Sequence, residues 1–420
     1  MITRIFPIIR LYFVRLASVL LSLGFSILAA RLLGVGNFGD YVALMAVVGL
    51  FTVVAGAGLP QLLERETAAA RGSGSNERLA IVLQWIALLG SVSILILSII
   101  WLAFGQAGLV VFLVILTGMG AAFASAVLNG IERVEISAVI IGILRPALAL
   151  VFLVLTTLTM GPLWVSALTA QILASAVTSA VALWLIWRVK VEVIHHAVQA
   201  AFSLRPGPTH RIVALAGFNF ALIQVLINAT QQAEILWLSV LASPEDVAHF
   251  FAASRAGNGV SLLHASVLAI YTPRIIRLHA AGEILARDHE VLQATRVSFI
   301  ATLLVAVIAA TVSGPYLHLY GESFKEAQIP MIIILFGWVV VSALGPVVAL
   351  MITLGRERDV WIGVTLGLGG GALTAWALIP TLGTLGAALS FLLMIVLAHI
   401  YLLPILRRNL GYILFCAAKI

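Results

Sequence analysis

A chain of 420 residues with 62% hydrophobic and only 10% charged residues is not a soluble domain, because soluble domains carry about a quarter charged residues. Its net charge of +7 raises the question of a nucleic-acid partner, but the basic residues are distributed over short loops between apolar runs and form no continuous basic face. A single cysteine, Cys416, excludes an intrachain disulfide and a cysteine-based metal site.

Apolar stretches of about 20 residues, each long enough to cross a hydrocarbon core of about 30 Å as a helix, recur from end to end. Their period is helical, and no alternating ten-residue segments of the barrel type are present. The expectation is an all-α polytopic membrane protein with about twelve transmembrane helices. They are placed near 12–32, 41–63, 79–102, 108–128, 136–159, 163–187, 211–236, 247–271, 292–314, 328–350, 360–380 and 385–406.

The first span follows Arg4, Arg10 and Arg15 in the manner of a signal peptide, but the second begins within about ten residues, and the first is read as retained. Ser18, Ser22 and Ser26 form a small-residue row suited to close helix packing. Arg15, at the inner end, is a topology anchor or a contact for a phosphate. Arg31 and Asp40 bracket the first outer loop, either as a gate pair or as plain surface charges.

Arg145, in "GILRPALAL", stands about nine residues into the fifth span, where an arginine costs about 2.5–3.5 kcal/mol on insertion scales. Two readings stand: a structural partner or snorkelling, with Pro146 opening the helix, or a place on a wet cavity. The basic loop of about Arg188 to Arg211, containing "RPGPTH", divides the chain into 1–205 and 206–420 with six spans each. An even number gives both halves the same orientation, so any repeat is parallel. His195 and His196 in that loop lack ligand spacing and are read as solvated.

The seventh span carries Gln224, Asn228 and Gln231 at i, i+4 and i+7, on one helical face, with Glu234 flanking it near the outer end. Interhelical hydrogen bonds contribute about 0.6 kcal/mol each, and a stripe this long is read instead as facing water or a hydrophilic ligand. The eighth span adds Arg255 with Asn258 one turn on, read as cavity residues. In the eleventh, Gly363, Gly367 and Gly371 are read as a packing row, since a phosphate loop needs another spacing and a lysine.

With the N-terminus inside, about 20 of the 24 basic residues fall on the cytoplasmic side, and Arg31 and Lys325 on the other. This bias places both termini in the cytoplasm and accounts for the charge without nucleic acid. Trp101, Trp164, Trp187, Trp237 and Trp361 fall at span ends, as interfacial indoles do; Trp338 does not, and is read as packing.

The halves share weak similarities in the same order: "LLGVGNFGDYVAL" with "VLASPEDVAHFFAA", Phe104-Gly105 with Tyr320-Gly321, "NGIERVE" with "LGRERDV", and "GPL" with "GTL". Two pseudo-symmetric six-helix bundles with a cleft between them are the expected architecture. The run "ARLLGVGNFGDYVALMAVVGL" followed by "QLLERETAAARG" resembles the opening of polysaccharide-exporting (Wzx-like) flippases of the MOP (MATE/oligosaccharidyl-lipid/polysaccharide) superfamily. The second half continues the resemblance through "ATQQAEILWLSVLASPEDVAHFFAASRAGN", "YTPRIIRLHAAGE", "LYGESFKEAQIPMIIILFG", "TLGRERDVWIGVTLG" and "GTLGAALSF", over nearly the whole chain. That family often has Asp then Arg in the "TQ" segment, where this chain has Ala233-Glu234-Ile235; the acid stays and the base is gone.

The resemblance implies a non-enzymatic transporter in the bacterial cytoplasmic membrane that flips a polyprenyl-pyrophosphate oligosaccharide by alternating access. Its partners would be that substrate, membrane lipids and polysaccharide-assembly membrane proteins, with no nucleic acid. Arg255 first and Arg15 second would neutralise the phosphates, since the guanidinium presents a planar fork of donors to an anion. Arg145 is the third candidate; Gln224, Asn228, Gln231 and Asn258 would meet sugar hydroxyls. No cofactor is expected, but Glu234 would couple transport to H⁺ or Na⁺, since burial favours its protonated form. The alternative is a MATE-type cation-coupled multidrug or metabolite antiporter with an acidic cavity. A membrane glycosyltransferase or polymerase would need a larger extramembrane loop than the roughly 20–25 residues found here.

Overall fold

A computed structural model describes residues 2–73, 77–188, 192–203, 207–353 and 356–410, and among these it is helical throughout with no strand. The helices are α1 (Ile2–Gly56), α2 (Leu59–Ser73), α3 (Glu77–Gly130), α4 (Val134–Val139), α5 (Arg145–Met160), α6 (Trp164–Arg188), α7 (Glu192–Ser203) and α8 (Pro208–Leu241). They continue as α9 (Pro244–Ala280), α10 (Ile284–Thr311), α11 (Ser313–Tyr320), α12 (Gln328–Leu344), α13 (Val347–Thr353), α14 (Glu357–Leu382) and α15 (Thr384–Leu410). A π-helical turn, Ile140–Leu144, joins α4 to α5, and a 3₁₀ turn, Glu322–Ala327, joins α11 to α12.

Among the described residues, ten helices are long and apolar enough to cross a membrane; this is a multi-pass membrane protein. The first candidate, Phe13–Gly56, is 44 residues long, about two crossings' worth of helix. It is broken at Gly34, whose φ of 75° and ψ of 164° lie outside the helical region. The stretches expected as the third and fourth spans fall within the one helix α3.

Other departures from expectation have local causes. The second span ends at Gly56 rather than 63, because Ala57 and Gly58 both take positive φ, 45° and 68°. Gly58 is held there by α8: a Cβ on it would meet the backbone of Gly217 and Ala221. The tenth span stops at Leu344, where Gly345 (φ 77°) abuts the Thr295 side chain and Pro346 follows. The basic loop contains helix α7, seated through Ala197, Ala200 and Ala201 on the core formed by α2 and the start of α3. Gln84 of α3 fastens it, its amide donating to the Ala201 carbonyl at 2.6 Å while its oxygen lies 3.0 Å from His210 Nε2.

The chain divides into two compact units, one of Met1–Asn37 with Leu44–Gln232 and the other of Phe38–Ala43 with Ala233–Ile420. In the first, α3 and α5 pack on α6. The second is built on α9, α10, α12, α14 and α15. Its closest helix pair uses the Gly363, Gly367, Gly371 row of α14, where added Cβ atoms would meet the backbone or side chains of Met394 and Ala398 on α15. Trp338 lies against Gly257 and Phe391 inside this unit. The short segment Phe38–Ala43 is part of the second unit's core: Phe38, fully buried, sits among Phe251, Tyr320 and Phe324 with ring centroids 5.6–6.5 Å away. Gly39 is obligatory beside it, because a Cβ would land on the Pro244 carbonyl.

Candidate substrate site

The first unit holds two neighbouring cavities of about 290 and 270 Å³, and each has one of the expected arginines in its wall. The larger is bounded by α2, α3 and the π turn, with Gln61, Glu64 and Arg145 as its polar groups. The smaller lies between α1, α3 and α4, with Arg15, Ser18 and Asn129. Ser125 and Ile141 border both, so Arg15 and Arg145 flank one polar hollow.

Local chemistry explains why the hollow is there. Pro146 has no N–H, and its ring would strike the carbonyl one turn back. The helix therefore widens before it: the Arg145 N–H reaches the Ile140 carbonyl, an i to i−5 bond. Such π turns occur mostly as single insertions, frequently at functional sites. Within the same turn Gly142 lets α1 come close, since a Cβ there would stand 3.2 Å from Ser18 Cβ. The Ser18 position thus belongs to a helix contact and to the cavity wall at once.

Polar side chains of α2, α3 and α4 complete the wall. The Asn129 amide donates to Glu64 Oε2 at 3.3 Å, and its own carbonyl oxygen is buried with no hydrogen-bond partner. Ser125 and Ser137 hydroxyls lie 2.7 Å apart. The hollow therefore offers two guanidinium groups, one carboxylate and several neutral donors and acceptors, a set that suits a hydrophilic anion better than an apolar ligand.

The remaining candidates lie elsewhere. Gln224 and Asn228 are half-buried and Gln231 is exposed on the first unit's part of α8, and the Asn228 amide donates to the Gln224 backbone carbonyl at 3.0 Å. Arg255 and Asn258 are exposed on the same side of α9 in the second unit. The Arg255 guanidinium stands 4.3 Å from the Phe251 ring centroid, one turn earlier, a cation–π contact that points it back along the helix. Arg31 is exposed in the first unit, and Asp40 is half-buried in the segment that belongs to the second.

Glu234 is buried at 3% exposure, and its Oε1 has no hydrogen-bond partner. One turn on, Trp237 lies against Gly371 of α14, whose carbonyl accepts from Ser390 of α15. The carboxyl thus stands near the junction of three helices rather than on the exposed stripe with Gln231.

Sequence reasoning did not single out Gln61, Glu64, Ser125 or Asn129. The first two lie in "QLLERETAAARG" and the last in "NGIERVE", polar stretches that read as loop ends until α2 brings Gln61 and Glu64 to the cavity of Arg145 and the end of α3 brings Asn129 to that of Arg15. No local spacing signals that approach.

A family model described as polysaccharide biosynthesis protein matches residues 8–279. No curated protein matches the chain by sequence. Among solved structures, an inward-facing multidrug resistance MATE family transporter of the MOP superfamily is similar, with a TM-score of 0.71 at 18% identity over 95% of this chain and 98% of that one. The lipid II flippase MurJ in an inward closed conformation gives 0.73 at 13% identity, over 95% and 87% of the two chains. A MOP superfamily transporter from Pyrococcus furiosus, described as having a binding pocket of reverse polarity, gives 0.61 at 15% identity over 96% and 95%. At these identities the likeness is one of fold.

Proposed function

We infer that this chain, which belongs to the polysaccharide biosynthesis protein family, is a transporter that flips a polyprenyl-pyrophosphate oligosaccharide across the cytoplasmic membrane by alternating access. The observation that carries the reading is the polar hollow flanked by Arg15 and Arg145. Intramembrane arginines are costly unless they face protein or a wet cavity, and an anionic headgroup gives both a common use. The glycan would meet the Asn and Gln side chains, Gln224, Asn228, Gln231 and Asn258 among them, and the isoprenoid tail would stay in lipid. Arg255 would supply a further cation.

The working topology has twelve spans in two bundles, 1–205 and 206–420, with both termini in the cytoplasm, on the distribution of basic residues. Glu234, buried and with an unpaired oxygen, would bind the coupling H⁺ or Na⁺. If Glu234→Gln flips substrate at the wild-type rate under every ion gradient tried, that role is wrong.

The decisive test is mass spectrometry of membrane lipids from cells depleted of the protein and from cells with it restored. A polyprenyl-pyrophosphate oligosaccharide that accumulates on depletion and clears on restoration is the expected result. A MATE-type antiporter is the second reading, favoured by the Glu64 carboxylate in the same cavity as Arg145. It would leave the lipids unchanged and let cationic compounds build up inside depleted cells.

A further inference from the structure

The first unit holds a further cavity, of about 190 Å³, apart from the polar hollow. Its wall is apolar: Leu59 and Leu62 of α2, Trp85 and Leu89 of α3, and Ala214 and Phe218 of α8. Helix α2 is the partition between the two spaces, since Gln61 and Glu64 border the polar hollow from its opposite side. The helices around the gap are otherwise close. Gly58 of the turn before α2 abuts the backbone of Gly217 and Ala221, and a Cβ on Gly217 would stand 3.5 Å from the Leu62 side chain. The Gln84–His210 contact at 3.0 Å ties α8 to α3. A void amid such packing forfeits dispersion contacts on every wall unless something fills it.

Two observations identify what fills it. First, the cavity opens on the membrane. Phe218, in its wall, is 65% exposed, and Leu215 and Leu222 on either side of it along α8 are 62% and 48% exposed. Large apolar side chains left open on a membrane-crossing helix lie in hydrocarbon, which is as apolar as they are. Second, each of the three helices carries an arginine at the same end of the cavity. Arg65 follows Leu62 by three residues on α2, Arg78 precedes Trp85 by seven on α3, and Arg211 precedes Ala214 by three and Phe218 by seven on α8. Those spacings are one and two helical turns, so each arginine shares a face with residues of the wall. Helix α2 runs towards that end, whereas α3 and α8 both start there.

The charges at this end favour an anion. Arg78 and Arg211 are exposed. Arg65, exposed as well, pairs with Glu66 and stands 5.5 Å from the ring centroid of Phe220, whose Cβ lies against Gly58. Glu77 opens α3 beside Arg78. Three arginines against Glu66 and Glu77 leave a positive excess.

We propose that this cavity is a binding site for an anionic glycerophospholipid of the adjoining leaflet. One acyl chain fills the apolar space, entering past Phe218, and the phosphate of the headgroup lies against Arg65, Arg78 and Arg211, whose planar forks suit phosphate oxygens. On the topology given by the basic residues, that leaflet is the cytoplasmic one. A lipid that binds only the folded unit stabilises it. By filling the space behind α2 it also holds Gln61 and Glu64 in place at the hollow. The binding itself is independent of what the hollow carries.

The test needs no transport. Purified protein is stripped of lipid in a neutral detergent and titrated with phosphatidylglycerol or with phosphatidylcholine. Bound lipid is counted by native mass spectrometry, and the thermal midpoint is followed in parallel. The parent protein should take up one phosphatidylglycerol in preference to phosphatidylcholine and melt higher with it. Arg78→Gln and Arg211→Gln should each weaken that uptake about fivefold, the effect of one basic group beside an anionic lipid. Arg277→Gln, at an exposed arginine of the second unit, should leave it unchanged. Ala214→Leu puts protein where the chain would lie, so it should melt no lower than the parent without lipid and lose the lipid-dependent rise. Leu89→Phe is the second filling variant should the first fail to fold. Equal uptake of both lipids by the parent overturns the proposal, as does a phosphatidylglycerol-dependent rise that survives in a folded filling variant. Displacement of phosphatidylglycerol by an equimolar polyprenyl diphosphate without sugars also overturns it, and gives the cavity to the carrier tail. The lipid-flipping reading stands or falls separately, on the lipid extracts.

Discussion

Arg145 combines three constraints in one residue. It ends a π turn, precedes the proline that causes the turn, and borders the larger cavity. If its guanidinium meets a diphosphate, Arg145→Gln removes a hydrogen bond to a charged group, about 1.5–3 kcal/mol. Initial flipping rates in proteoliposomes should then fall roughly ten- to a hundredfold. Arg145→Lys keeps the charge but not the planar fork and should recover only part of the loss. Equal rates for all three proteins would remove Arg145 from the site. Sequence alone located this arginine and its proline. It could not choose between a packed and a wet surrounding, because that depends on Gln61 and Glu64, which approach from a helix distant in the chain.

At the level of elements, most spans were legible because an apolar run of helical period in a bilayer has few alternatives. What was not legible was where runs break. Gly58 and Gly345 are two among 35 glycines, and only Gly345 carries a local mark, the proline that follows it. They break helices because another element stands too close for a Cβ, α8 at Gly58 and the Thr295 side chain at Gly345. The matched "GPL" and "GTL" both mark turns: Gly161, before α6, and Gly383, before α15, take positive φ. At Gly383 the turn is locked by Asp246, which accepts from the Thr384 N–H at 2.9 Å and hydroxyl at 2.8 Å while also closing the capping box of α9 with Ser243. Gly39→Ala, with its Cβ directed at the Pro244 carbonyl, should destabilise the protein by about 1–3 kcal/mol through overpacking. Gly24→Ala, which meets nothing within 4 Å, should leave the thermal midpoint unchanged or raised. A lower midpoint for both variants, or for neither, would show that the close approach at Gly39 does not matter to stability.

For the whole molecule, the charge distribution predicts both ends of the chain on the cytoplasmic side, and the lone cysteine gives a direct check. Cys416 should resist a membrane-impermeant maleimide in intact cells and react once the membrane is opened. Labelling in intact cells would invert the topology. The multi-pass helical character and the family were readable from the sequence, yet the division into units ignores chain order. Phe38 stacks on Tyr41, three residues on, but the other rings around it, Phe251, Tyr320 and Phe324, come from more than 200 residues along the chain.

That placement has a consequence for biogenesis. Phe38 leaves the ribosome long before the aromatic residues that surround it, and at about 5–20 residues per second the interval is on the order of 15–60 s. Throughout it the first hairpin is already in the bilayer with a bulky aromatic and a narrow glycine awaiting a binding place that does not exist. An insertion chaperone or the translocon itself has that interval in which to hold the hairpin. A nascent chain arrested before residue 324 should therefore present Phe38 to crosslinkers that the finished protein excludes.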